Sequence, residues 1–403
     1  MTNPYVAVLR APRAWRFSAA GFVARLPISM LGIGTVLLVE NATGSYGLAG
    51  AVAATLAVAA AAGGPLIARF VDRFGQRRVG LPSLVLHVAG LVGLVVAAEA
   101  TAPAVLLFVT AAVAGAFQPA IGSFVRARWA VLFSGTDRLR TAYSLEAVVD
   151  ELIFITGPPL VAVLAVTVGA DWALLATALI VSVGTLLLLA QRRTEPQPQR
   201  HATHAGSALR QTGMPMCVLV AFALGGIFGS VEITVVAFAD ELGQLGAAGL
   251  VLAVYAAGSM LAGLAYGVIH PRAPLRVQYV LGCTAMMIVA VPLPFADSIA
   301  VLTALIFVAG FAISPTLIAG IALVEELVPA SMLTEGLTWE TTGIAAGVAA
   351  GASLSGPIVD ASGASAAFWV TVGFSAAAAA MALLAQPSLR RAADSAHGRA
   401  LPA

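Results

Sequence analysis

Gly63-Gly64-Pro65-Leu66-Ile67-Ala68-Arg69-Phe70-Val71-Asp72-Arg73-Phe74-Gly75-Gln76-Arg77-Arg78 closes a long apolar run with a dense cluster of charge. Five of its last ten residues are charged, and four of those are Arg. Such a cluster cannot lie in hydrocarbon, where an uncompensated charge is expensive. Pro65 is expected to interrupt the apolar segment, and Gly75 to permit a tight reversal before the next apolar segment opens at Gly80. The stretch therefore reads as a short cytoplasmic turn between two membrane helices.

Composition says the same of the whole chain. Of its 403 residues, 60% are hydrophobic and 10% charged, with a mean hydropathy of +0.96. Such a chain lacks the polar surface to cover itself in water, which excludes a soluble globular domain. A bilayer-spanning helix takes about 20 apolar residues, so twelve spans with short turns consume most of the length. All 21 basic residues are Arg. The two Cys, Cys217 and Cys283, sit in apolar segments and suggest neither a disulfide framework nor a metal site.

Residues 1–16 carry Arg10, Arg13 and Arg16 and no acid, and lead into an apolar run too long for a signal-peptide core. They read as an uncleaved cytoplasmic start. Spans are expected near 17–39, 46–70, 80–99, 103–125, 141–167, 171–190, 214–239, 246–269, 276–296, 299–323, 335–358 and 364–385. Every second connection then holds Arg: Arg69 to Arg78, Arg126 to Arg140, Arg192 to Arg210, Arg272 and Arg276, and the tail from Arg390. The opposite connections hold Glu40, Glu99, Asp171, Asp240, Glu241, Asp297 and Asp360 and no Arg. With Arg25 as the one exception, the positive-inside rule places both termini in the cytoplasm of a cell with a plasma-membrane-embedded, multi-pass chain.

The longest polar stretch, residues 191–213, divides the chain into a half of residues 1–190 and a half of residues 214–403, six spans each. His201 and His204 stand three apart in it, but without a third ligand they read as solvated. The halves repeat at an offset of 199 residues. Gly47 and Gly50 match Gly246 and Gly249, Gly64 matches Gly263, Arg73 and Arg77 match Arg272 and Arg276, and Gly157-Pro158 matches Gly356-Pro357. One gapless offset across two helices and a basic loop means two parallel six-helix halves. Asp72 has no counterpart, since Pro271 stands in its place.

The opening stretch resembles the loop between helices 2 and 3 of the major facilitator superfamily: a small residue, an Asp-Arg pair, then Gly and two basic residues, here Ala68, Asp72-Arg73, Gly75 and Arg77-Arg78. Ala68 and Phe70 depart from the usual Gly and Leu. The resemblance implies an all-α membrane fold of twelve helices in two pseudo-symmetric halves, with a small-molecule substrate held near the midplane and alternating access by rocking. It further implies that the turn Asp72, Arg73, Gly75, Arg77 and Arg78 gates the molecule. Gly157-Pro158 is similar to the centre of the antiporter motif of drug-exporting members, although Ile153 and Val161 depart from its remaining glycines. The span-4 motif of proton-coupled members is absent, and Gln118-Pro119 lies mid-span.

The ionisable residues inside apolar spans are the candidate site, because such groups are costly and mark substrate or proton paths. Arg25 lies about nine residues into span 1 beside Pro27, ~12 Å from the surface at ~1.5 Å per residue, near the limit of snorkelling. Glu146 and Asp150 share one face of span 5, and Glu151 lies round from them. Three carboxylates entering a bilayer need Arg partners or protons, and Arg25 is expected to pair with Asp150 or Glu146. Glu232 is the ionisable residue within span 7, one turn after the small-residue spacings Gly225/Gly229 and Gly226/Ser230. Glu340 enters span 11, Gln118 lies in span 4, and His87 reads as a packed polar residue of span 3.

No phosphate-binding loop, nucleophile elbow or Cys/His cluster is present, so the sequence supports neither ATP drive nor enzyme chemistry, and no cofactor or nucleic acid is expected. The expectation is a monomeric secondary transporter in a lipid bilayer, coupling protons to efflux of a small, fairly apolar organic compound. An uncoupled facilitator, an uptake symporter and a transporter-like sensor are the alternatives.

Overall fold

The structure, a computed structural model, describes residues 3–198, 206–244, 247–269 and 271–399. His201, His204 and Gly246 lie outside the described residues. Among those described, every regular element is helical: α1 (Pro4–Leu9), α2 (Ala14–Thr43), α3 (Tyr46–Phe74), α4 (Gln76–Glu99), α5 (Ala104–Ala116), α6 (Ile121–Phe133), α7 (Asp137–Val168), α8 (Ala170–Leu189), α9 (Met214–Glu241), α10 (Ala248–Ile269), α11 (Leu275–Ala290), α12 (Ile299–Gly310), α13 (Ile313–Leu327), α14 (Leu333–Ser362) and α15 (Ala364–Arg399), with short 3-10 turns between some of them. Twelve stretches of the described residues are long and apolar enough to cross a membrane. Span 4 is α5 with α6 and span 10 is α12 with α13; each other span is centred on one long helix.

The charged turn is smaller than its sequence suggests. α3 runs unbroken through Pro65 to Phe74, and α4 starts at Gln76, so Gly75 alone makes the reversal, at φ +96°. Arg69, Asp72 and Arg73 thus ride the last turns of α3, while Arg77 and Arg78 open α4. Proline is tolerated inside a spanning helix because neighbouring helices re-satisfy the one backbone group it frees; Pro27, Pro158, Pro159 and Pro357 are likewise internal. Span 4 also runs further than expected, to Phe133, which puts Arg126 and Arg128 on a span rather than in a connection.

Contacts divide the chain into two compact units: residues 1–135 with 149–205, and residues 136–148 with 206–403. The boundary falls inside α7, whose first turns belong to the second unit. In the first unit α2 packs on α8 and α3, and α5 packs on α3 and α4. Its apolar core includes Leu38, Val52, Leu94, Leu107 and Leu174. In the second unit α9 packs most extensively on α14, and α15 covers α9 and α11.

Small residues set the closest approaches. A Cβ at Gly225 or Gly229 of α9 would fall 2.0 Å from the carbonyl oxygens of Ile344 and Val348 on α14. One at Gly347 would fall 1.9 Å from that of Phe222. The small-residue spacing therefore builds a backbone-to-backbone seam, which gains dispersion contacts that lipid tails cannot match.

Candidate functional site

An ionic cluster lies in the first unit. Asp150 of α7 accepts from two guanidiniums at once: Arg25 Nη1 reaches Oδ1 at 2.7 Å and Arg126 Nη2 reaches Oδ2 at 2.5 Å. Arg25 is 2% exposed and also donates Nε–H to the Gly21 carbonyl, one turn back on α2. Gly122 makes room for the pair, since a Cβ there would lie 2.9 Å from Arg126 Nη1 and 3.7 Å from Arg25 Cδ. Three helices, α2, α6 and α7, thus meet at one carboxylate. Ser29 reinforces the contact by donating to the Leu26 and Ile153 carbonyls at 3.0 and 2.9 Å, and Gly157 brings α7 so close that a Cβ there would strike Ser29 Oγ. The expected Arg25 pairing is made with Asp150. Arg126 is the member missed from the sequence, where it reads as part of the connection after span 4.

Glu146 is fully buried and Glu151 half-buried. The boundary within α7 assigns Glu146 to the second unit and Asp150 to the first.

A second network fixes the signature turn. Arg128 is fully buried and donates Nε–H to Gln76 Oε1 at 2.8 Å and Nη1–H to the Gln191 carbonyl and Thr194 Oγ1 at 3.0 and 2.9 Å. Gln76 in turn donates to the Phe124 carbonyl. Glu195 accepts from the Arg77 backbone N–H at 3.0 Å, which caps the start of α4 where orphan N–H groups favour an anion. Burial pushes the Glu195 carboxyl up from its ordinary range, and the Arg128 charge opposes that shift. Of the expected gating residues, Asp72 and Arg77 are half-buried, Arg73 is exposed with its guanidinium 5.3 Å from the Phe74 ring, and Arg78 alternates with them at the exposed surface.

Two spans are broken. Span 4 leaves helix between α5 and α6 over residues 117–120, which holds Gln118-Pro119, and span 10 leaves it between α12 and α13 at Phe311 and Ala312. His87, buried on α4, donates Nδ1–H to the Ala114 carbonyl at 2.6 Å, a group that the break removes from the helical ladder. His87 is therefore a packed polar residue with a definite task.

In the second unit Glu232 is exposed on α9, nine residues before the helix ends at Glu241. Glu340 is buried on α14, against Gly320 of α13. A Cβ at Gly320 would lie 2.7 Å from Glu340 Oε1 and 3.0 Å from Tyr279 Cε2. Glu335, one turn before Glu340, accepts from the Ser207 hydroxyl and the Ala208 N–H, tying the end of the linker to α14. Among the described residues no three His, Cys, Asp or Glu are placed to hold a metal ion.

The sequence profile of the Major Facilitator Superfamily matches residues 17–301 and again 217–401. No curated protein matches the sequence significantly. Among solved structures, the chain is similar to a bacterial homologue of the iron transporter ferroportin in an outward-facing state (TM-score 0.79, 12% identity, 93% of this chain and 100% of that one). It is also similar to the human organic anion transporter MFSD10, or TETRAN (0.68, 17%, 92% and 100%), and to the transporter FucP in an outward conformation (0.70, 15%, 93% and 99%). At such identities the likeness shows the fold. The profile, matched across nearly the whole chain and over both six-span halves, shows that the protein belongs to the major facilitator superfamily and is a membrane transporter rather than an enzyme.

Proposed function

We propose that the chain is a proton-coupled secondary transporter that exports a small, fairly apolar organic compound across the plasma membrane, as a monomer with both termini in the cytoplasm. The observation that carries this reading is Glu232, an exposed carboxyl on a span whose other face is packed. Nine residues at ~1.5 Å each put it ~14 Å from the end of α9. A carboxylate facing hydrocarbon at that depth is costly, so an exposed one belongs on a water-filled path, where it can take and give a proton. The breaks in spans 4 and 10 supply substrate contacts, since interrupted helices in corresponding places of two related halves mark transporter binding sites. Few charged side chains are buried among the described residues (Arg25, Arg128, Glu146, Glu335 and Glu340), and this favours an apolar cargo.

The test begins with a ligand screen for thermal stabilisation of the purified protein. A stabilising compound should then accumulate in proteoliposomes under an imposed pH gradient, and a protonophore should abolish the accumulation. Flux indifferent to the gradient would make the protein a facilitator. Binding without flux would make it a sensor.

A further inference from the structure

Val113-Ala114-Gly115 of span 4 recurs as Val308-Ala309-Gly310 of span 10, and the two glycines make the same kind of contact. A Cβ at Gly115 would fall 2.1 Å from the carbonyl oxygen of Leu56 on α3. One at Gly310 would fall 2.4 Å from that of Tyr255 on α10, the residue that matches Leu56 at the 199-residue offset. Both spans leave helix just beyond this crossing, but to different extents: over residues 117–120 in span 4, and at Phe311 and Ala312 alone in span 10.

Proline does not account for the wider break. α2, α3, α7 and α14 run unbroken through Pro27, Pro65, Pro158-Pro159 and Pro357, and a proline stands near both breaks, as Pro119 and as Pro315. The difference lies in one carbonyl. In span 10, Phe311 donates its N–H to the Val308 carbonyl and Ala312 donates to that of Ala309, both at 3.2 Å, so the span satisfies itself with the tighter bonds of a 3-10 turn. In span 4, Phe117 donates to Val113 at 3.2 Å and Gln118 to Gly115 at 2.9 Å, and both pass over Ala114. The Ala114 carbonyl is taken instead by His87 of α4, at 2.6 Å. A carbonyl only accepts, so Nδ1 carries the proton. His87 is fully buried, and a buried carbonyl left without a donor is costly. In the second half Met286 stands at the same offset from His87 and lines one small cavity with Ala309. A thioether has no N–H to give.

We infer that His87 is a positioning residue of the transport machinery: its N–H takes the Ala114 carbonyl out of the span's own ladder and so holds span 4 open at Gln118-Pro119. The competing donor is the Gln118 N–H four residues on, which would carry the helix across Pro119 as α3 is carried across Pro65. With the span held open, the Phe117 and Gln118 carbonyls and the Ala120 N–H find no backbone partner in their own span. Non-helical backbone at membrane depth persists only where protein buries it or water reaches it, so these groups are left for water or for polar groups of a cargo. The first half is set open by a side chain, and the second closes on its own backbone. Use of the open segment by cargo rests on the reading of the breaks given above; the hold on span 4 does not.

The test reads amide hydrogen exchange by mass spectrometry on the full-length protein in detergent, with no cargo present. In His87→Leu the Ala120 N–H should exchange roughly tenfold more slowly than in the parent, because span 4 closes and the Ala116 carbonyl becomes its partner. His87→Asn places an N–H where Nδ1 stands and should restore the parent's rate. Unchanged or faster exchange in His87→Leu would overturn the inference, and so would His87→Asn behaving as His87→Leu does, since the ring's volume rather than its donor would then hold the segment. Should His87→Leu fail to fold, Met286→His decides. An imidazole beside Ala309 should take that carbonyl from the Ala312 N–H and raise exchange at Ala312 roughly tenfold, and unchanged exchange there would overturn the inference. Because exchange is read without cargo, failure here leaves the reading of the breaks as cargo contacts standing, and failure of that reading in the flux assay leaves this one standing.

Discussion

At the scale of single residues, Asp150 joins three helices through two guanidiniums. Desolvating Arg25 is costly, and the cost is offset only while a carboxylate faces it. Arg25→Ala and Asp150→Asn should therefore each destabilise the protein, and together by less than their sum, with a coupling of at least ~1 kcal/mol in thermal unfolding. Strict additivity would remove the pair from the fold's support. The pair was legible because Arg25 broke the charge rule and only span 5 offered acids at similar depth. Arg126 was not legible, because charge itself had been used to end span 4 at residue 125, and a guanidinium satisfied inside a protein looks, in sequence, like one satisfied by water. The same substitution of protein for water hid Arg128, fully buried between Gln76, Gln191 and Thr194.

Helices are where repetition in sequence and equivalence in packing separate. Gly157 and Gly356 match at the offset of the repeat, yet a Cβ at Gly157 would strike Ser29 while one at Gly356 would meet nothing within 4 Å. Equivalent glycines can thus be kept by ancestry on one side and by contact on the other. The seam between α9 and α14 is the contact case. Gly347→Val would press a branched side chain on the Phe222 carbonyl, where only backbone can yield, and should lower stability by about 1–3 kcal/mol or more. Gly356→Val is the matched control and should lie within about 0.5 kcal/mol of the parent. Similar losses at both positions, read from thermal unfolding in detergent, would mean that helix propensity rather than the seam sets the cost. Helix breaks were the least legible feature at this scale. Gln118-Pro119 gave a local signal for span 4; in span 10 the signal is displaced from the break, since Pro315 has no N–H for the Phe311 carbonyl four residues back and Gly310 precedes it.

For the whole molecule, the twelve spans were readable because hydrocarbon leaves a chain so few ways to satisfy its backbone, and helices of about 20 apolar residues are the main one. Cargo was not readable for the converse reason: a substrate cavity is defined by shape as much as by polar partners, and shape is made by packing. What sequence and structure do offer is a pair of carboxyls in contrasting surroundings, Asp150 clamped by Arg25 and Arg126, and Glu232 exposed on α9. Proton coupling requires a group that water can reach in one state and lose in another, because hydration favours the carboxylate and closure favours the neutral acid. Glu232, exposed on α9, is the group proposed for that role, whereas Asp150 is held between Arg25 and Arg126. Glu232→Gln imitates the protonated acid permanently. Reconstituted in proteoliposomes, this variant should bind the compound and exchange it, yet fail to accumulate it when a pH difference is imposed. Accumulation at the parent's level would reduce Glu232 to a structural acid and pass the proton to Asp150 or Glu151, with Glu151→Gln as the next variant to measure because Asp150→Asn also loosens the ion pairs.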